Sequence, residues 1–222
     1  VPVFTTSSRP PSEIVEAAHS HGGVVFHDVI NVKHARKAAE QGVDGLILVC
    51  AGAGGHAGTL SPFALVREVK QWFKGTILLS GAISDGWSIA AALALGADLA
   101  YMGTRFIATE EANADPAYKA ALIEHAAHAI VYSTLFPGVH GNYLGPSIAA
   151  AGLDPANLPV ADKSKMNFGS GGNTKSKAWR DIWGSGQGIG QISDAPPVAE
   201  LVARLKAEFN EARTDFSRRA IA

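Results

Sequence analysis

The sequence predicts an α/β fold of the (β/α)8 TIM-barrel type, represented by about five βα units and a mostly helical insertion. Three observations predict it. Short runs that are apolar throughout recur along the first hundred residues, helical patterns lie between them, and glycine-bearing turns follow three of the runs. A run that is apolar throughout, rather than alternating, indicates a strand covered on both faces, as in a parallel sheet. Strands alternating with helices imply parallel pairing with right-handed crossovers.

The strands begin near Val1 (VPVFTT), Val24 (VVFHDV), Gly45 (GLILVC), Thr76 (TILLSG) and Leu99 (LAYMGT). Ser12 opens a helical segment with Ile14, Val15, Ala17 and Ala18 on one face. Asn31 precedes Val32, Ala35, Ala38 and Ala39, a segment ended by Gly42. Ser61-Pro62 opens a third segment carrying Leu65, Val66, Val69 and Trp72, and Asp85 opens a fourth, from Trp87 to Leu95, closed by Gly96. Ser, Asn or Asp at the start and Gly at the end is the capping asymmetry expected of helices. After Arg105 the rhythm changes. Residues 106–135 read as largely helical, and 136–176 collect Gly, Pro, Asn and Ser, suggesting loops with short helices. From Ala195 a Pro-Pro start and an amphipathic run (Val198, Leu201, Val202, Leu205, Phe209) form a C-terminal helix. The expected division is a barrel portion over 1–105 and 177–222, with an inserted portion over 106–176.

Composition narrows the function classes. The chain has 222 residues, 47% hydrophobic and only 18% charged, against roughly 25% charged in ordinary domains. That is a chain able to bury a large core. Nineteen basic and twenty acidic side chains leave a net charge of −1, which gives no electrostatic reason to expect nucleic acid or an anionic membrane. The lone Cys50 rules out an internal disulfide framework and fits a reducing, cytoplasmic setting. No apolar run approaches the roughly 20 residues of a membrane span.

On a parallel βα array, ligands bind at the carboxyl ends of the strands. Three glycine-bearing ends fall there. In Cys50–Thr59 (CAGAGGHAGT), glycines and alanines surround His56, so little side-chain bulk would keep a planar ligand away from its imidazole. In Ser80-Gly81-Ala82 and in Met102-Gly103-Thr104, small residues let backbone N–H groups approach a phosphate. A phosphate site from the last two βα loops recurs in (β/α)8 barrels. GSGQGIG (Gly184–Gly190) looks like a dinucleotide fingerprint, but no strand precedes it and no clean helix follows. His125 and His128 share an alanine-rich helical pattern, with no convincing further metal ligands nearby. His27 and Asp28 end the second strand; they could orient a ligand or form a buried hydrogen-bonded pair.

The segments AGAGGHAG, LSGAISDGWSIAAALALGADLAYMGTRFIAT and GSGQGIGQI, in that order, resemble the nitronate monooxygenase family, formerly called 2-nitropropane dioxygenases. The resemblance covers essentially the whole chain. It implies an FMN-binding barrel with an inserted substrate-side domain, oxidising alkyl nitronates with dioxygen to a carbonyl compound and nitrite. It places His56 as the base or ligand-orienting group and Gly54 along the flavin. Ser80, Gly81, Ala82, Met102, Gly103 and Thr104 would hold the FMN phosphate and ribityl chain, while Gly186 and Gln187 match a late loop that closes near the flavin. It also implies a small-molecule substrate and a possible homo-oligomer, with no resident metal.

The chain departs from the family pattern. Many members place Gln and Glu where Val49 and Gly52 stand, and often a second glycine where Ala82 stands. Five strands can be counted where the family has eight. Together with the missing initiator Met, this leads to the expectation that the chain starts partway through the barrel. Related activities on this fold remain open: an NAD(P)H-dependent flavin reductase of quinone or enoyl-thioester type, or a non-catalytic phospholigand-binding remnant.

Overall fold

The computed structural model describes residues 2–135, 140–158 and 181–219. The chain divides into two compact units: Val1–Ala51, Gly58–Met102 and Leu205–Ala222 form the first, and Gly52–Ala57 with Gly103–Arg204 the second.

The first unit holds a five-stranded parallel sheet. Its strands are β1 (Val3–Thr6), β2 (Val24–Val29), β3 (Gly45–Val49), β5 (Thr76–Ser80) and β6 (Leu99–Tyr101), in the order β1-β2-β3-β5-β6. The two-residue β4 (Gly55–His56) belongs to the second unit. All five strands fall on the apolar runs. Central β3 is buried along its whole length, as a run without alternation requires. Its register sets Val49 opposite Ser80, which aligns the ends of β3 and β5. At the two edges Val3, Phe4, Leu99 and Tyr101 stay exposed.

Helices α1 (Ser12–Ser20), α2 (Val32–Glu40), α3 (Pro62–Lys70) and α4 (Gly86–Leu95) follow successive strands. Val15, Ala35, Leu65, Val66, Val69 and Ala92 join Leu46, Leu48, Ile77 and Leu79 in one buried cluster. Each large aliphatic residue so buried stabilises the fold by about 1.5–3 kcal/mol. Three of the four expected caps form. The Asn31 side chain accepts from the His34 amide at 2.8 Å, and Ser61 from Phe63 at 3.3 Å. Asp85 and Ser88 cap each other reciprocally. At α1, Pro11 takes the capping position and Ser12 is already helical, with no side-chain cap; proline suits a helix start because it has no N–H to satisfy.

The second unit takes α5 (Thr104–Ile107), α6 (Pro116–Glu124), β7 (Ile130–Ser133), β8 (Gly141–Leu144) and α7 (Gly145–Ala150). Its antiparallel sheet has the order β4-β8-β7. Residues 130–133 and 141–144 are strands where the sequence suggests helix and loop. Alanine-rich sequence runs up to Ala129, but Ile130, Val131 and Tyr132 are the β-branched and aromatic residues that suit a pleated surface, and Gly141–Leu144 is drawn into the sheet by pairing with them. Leu122, Leu144, Ile189 and Ile192 form one buried cluster there, and Tyr143, Ile148 and Ile182 another.

The long helix α8 (Val198–Arg219) follows Pro196-Pro197. Within the first unit, its Glu208 carboxylate accepts from the Gly86 amide at 2.8 Å. A Cβ on Gly86 would lie 2.3 Å from the Phe209 nitrogen and 2.5 Å from the Leu205 oxygen. Only glycine lets α4 begin this close to the α8 backbone.

Candidate active site

In the first unit, the ends of β3 and β5 are tied by the Cys50 amide donating to the Ser80 carbonyl at 2.9 Å. Cys50 itself is fully buried, and burial pushes its thiol up to about 12. It stays protonated at neutral pH and is no nucleophile. After Ser80 the chain turns through Gly81 (φ 135°) and Ala82 (φ 55°). Ala82 is exposed and holds a left-handed backbone that costs an L-residue roughly 1–2 kcal/mol. Turns of this kind present successive backbone N–H groups outward and make anion-binding concavities. Met102, the residue after β6, is half-buried.

The remaining expected residues lie in the second unit. The turn from Gly52 (φ 87°) to Gly55 (φ 66°) leads into β4, where Gly55 pairs with Asn142 and His56 with Gly141. Buried Asn142 donates through Nδ2 to the Ala53 carbonyl at 2.7 Å, and the Tyr132 hydroxyl donates to the Ala57 carbonyl at 3.0 Å. The backbone on both sides of His56 is therefore fixed. The His56 side chain reaches solvent, while partial burial of its ring holds the imidazole below its ordinary pKa. That shift favours the neutral ring at pH 7.

The glycine loop 184–187 packs against this turn. The Gln187 amide donates to the Gly52 carbonyl at 2.9 Å, and the Gly186 amide to Thr104 Oγ1 at 2.9 Å. A Cβ on Gly54 would stand 2.8 Å from the Gly186 nitrogen, and one on Gly186 would stand 2.7 Å from the Gly52 oxygen. These two glycines are thus required by backbone lying on backbone. Gly103 differs: a Cβ there would meet nothing within 4 Å. The second unit brings together Gly54, Thr104, Gly186 and Gln187, with His56 two residues beyond Gly54. Ser80, Gly81, Ala82 and Met102 belong to the first unit.

Several supports escape a sequence reading. Tyr118 stacks on Trp183 with ring centroids 4.8 Å apart and donates its hydroxyl to the Gly184 carbonyl at 2.6 Å. Burial raises its phenol pKa, keeping that donor protonated. The Asn142 carbonyl accepts from the Ser185 amide. Neither Asn142, in the mixed segment GNYL, nor Tyr118, on an alanine-rich helix, offered a signal in the sequence.

The other histidines resolve simply. His27 is buried and hydrogen-bonds through Nδ1 to Thr6 Oγ1 at 2.7 Å, while burial pushes the neighbouring Asp28 carboxyl above its usual range. His125 lies just past the end of α6 and His128 in a separate 3-10 turn, so they share no helix. Among the described residues no cluster of three or more His, Cys, Asp or Glu could hold a metal ion, and no helix is long and apolar enough to cross a membrane.

Parallel βα units with glycine turns at their strand ends, and a histidine set on one such turn, define an α/β protein of the (β/α)8-barrel type. The sequence model of the nitronate monooxygenase family matches residues 1–208, and the chain belongs to that family. It is 31% identical over 240 residues to a nitronate monooxygenase of Neurospora crassa, covering 95% of this chain and 61% of the relative. It is 29% identical over 216 residues to one of Paraburkholderia phytofirmans, covering 91% and 59%. The chain thus spans about three fifths of the length of these relatives. Among solved structures, it resembles a nitroalkane oxidase of Streptomyces ansochromogenes with a TM-score of 0.76 at 25% identity, over 97% of this chain and 66% of that one. It shares the fold of FabK from Thermotoga maritima, with a TM-score of 0.76 at 24% identity, over 100% of this chain and 71% of that one.

Proposed function

We propose that the protein is an FMN-dependent oxidoreductase that converts an alkyl nitronate and dioxygen to a carbonyl compound and nitrite. The observation that carries this reading is His56: a neutral, solvent-reaching imidazole on a backbone fixed on both sides. Membership of the nitronate monooxygenase family supports it. A lowered pKa keeps the imidazole largely unprotonated near neutral pH, the form a general base needs. With a neutral nitroalkane His56 takes the proton from the substrate carbon; with the nitronate, which has already lost it, His56 orients the nitro oxygens by donating a hydrogen bond.

The residues suit FMN. Ser80, Gly81 and Ala82 offer backbone rather than bulk at the end of β5 in the first unit, and Met102 follows β6 there. In the second, Gly103 leaves open space beside Thr104, and the exposed Gln187 side chain supplies a polar edge. When bound, FMN supplies the electron-transfer chemistry, while the protein supplies position and electrostatics. The single Cys50, buried and protonated, fits a reducing cytoplasmic setting.

The test is anaerobic mixing of the FMN-reconstituted protein with an alkyl nitronate and, separately, with NADH. Bleaching of the flavin band by the nitronate is expected. Bleaching by NADH alone would make the protein an NAD(P)H-dependent flavin reductase, and no flavin band after reconstitution would make it non-catalytic. His56→Ala should lower kcat/KM on nitronates by about 10²–10⁴, and a loss of only a few-fold would remove His56 from proton handling.

A further inference from the structure

Thr104 and Arg105 are adjacent in sequence but hold different ends of one segment of the second unit. Thr104 Oγ1 accepts from the Gly186 amide at 2.9 Å. Arg105, only 2% exposed, reaches Asp194 at the other end. Its Nη2 donates to Asp194 Oδ1 at 2.9 Å, and its Nη1 to the Ala108 carbonyl at 2.9 Å and the Asp194 carbonyl at 3.2 Å. Arg204 grips the same carboxylate from the solvent side, at 2.9 Å to Oδ1 and 2.7 Å to Oδ2.

Each contact constrains the next. A buried guanidinium is costly unless paired, and removing its partner is strongly destabilising. Arg105 is therefore bound to stay on Asp194, and the chain direction at α5 is set from that side. Thr104 cannot move without Arg105. At the other end, the Gly186 and Gln187 amides make neutral hydrogen bonds to Thr104 and Gly52, each worth about 1 kcal/mol. A segment pinned strongly at 194 and weakly at 186–187 takes its register from the strong pin. Two arginines on one carboxylate also hold Asp194 below the usual carboxylate range, Arg204 contributing most, so the pin persists through mildly acidic conditions.

We infer that Arg105 and Asp194 are positioning residues that set Thr104 and the 186–187 backbone in register. The consequence for flavin binding rests on the function proposed above; the consequence for the backbone does not.

Amide hydrogen exchange in the purified full chain tests the inference without cofactor. Asp194→Asn should speed exchange at Gly186 and Gln187 about tenfold while the β3 amides keep their protection. Arg105→Lys, which keeps the charge and loses the fork, should fall between wild type and Asp194→Asn. Thr104→Val should speed Gly186 exchange similarly. The double variant Thr104→Val/Asp194→Asn should be no faster than the faster single, because both act through one contact. FMN affinity, followed by flavin fluorescence, should weaken about tenfold in Asp194→Asn and show the same non-additivity. Unchanged exchange at 186–187, additive effects, or a uniform rise over the whole second unit in both Asp194→Asn and Arg105→Lys would overturn the inference. If the exchange results hold but the wild type binds no FMN, the flavin reading fails and the positioning role stands.

Discussion

The turn carrying His56 and the turn after Ser80 both look, in sequence, like small residues clearing space for a ligand. Physically they differ. At the first, the room beside Gly54 is already taken by the backbone of Ser185 and Gly186. At the second, Gly81 and Ala82 bend through positive φ, and Ala82 faces solvent. One glycine turn is packed and holds the backbone around His56 in place. The other is open and offers its backbone. A missing Cβ thus has two meanings, and the nearest neighbour of the absent atom tells them apart.

The sharpest way to break this comparison is Gly54→Ala. The added methyl has no flexible side chain to push aside, only backbone, so a loss of about 3 kcal/mol in unfolding free energy is expected. A denaturant midpoint close to wild type would mean the turn is not packed as described. The pH dependence of kcat/KM on nitronates comes next. Because the His56 pKa is lowered, the neutral form should persist through pH 7. Activity should then fall about tenfold per pH unit only below a midpoint under the ordinary value near 6.5. A midpoint above that value would contradict the environment assigned to the ring. Gly103→Ala is the counterpart of Gly54→Ala. With nothing within 4 Å of the new atom, stability should stay within about 0.5 kcal/mol. FMN affinity, measured by flavin fluorescence, should drop about tenfold if the space serves a ligand, a difference of about 1.4 kcal/mol. The smallest effect is Ala82→Gly, which relieves a left-handed alanine. It should raise unfolding free energy by about 0.5–1 kcal/mol, and an unchanged thermal midpoint would remove the strain argument.

Much of this was legible from residue order. The five strands fall on apolar runs because a strand buried on both faces leaves no polar position to blur the pattern. Asn31, Ser61 and Asp85 cap their helices because a short side-chain oxygen must satisfy amides within the next three residues. Such local rules are written in sequence. The β4-β8-β7 sheet was not legible, since Gly55–His56 is too short to show alternation and its partner lies about 85 residues away. The approach of Gly54 to Gly186 was not legible either, because each one's neighbour lies in a loop distant in the chain. Arg105 stood in plain view in GTRF, but nothing nearby announces that its partner is Asp194.

The contact of Gly86 with Glu208 bears on how the first unit comes together. Its sheet and α1–α4 are built from neighbours in sequence and can collapse early, since short loops close at low entropic cost. The seat of α8 on α4 instead joins residues 122 positions apart, with most of the second unit in between. Completing the first unit therefore requires the return of a distant helix to a notch that only glycine leaves open.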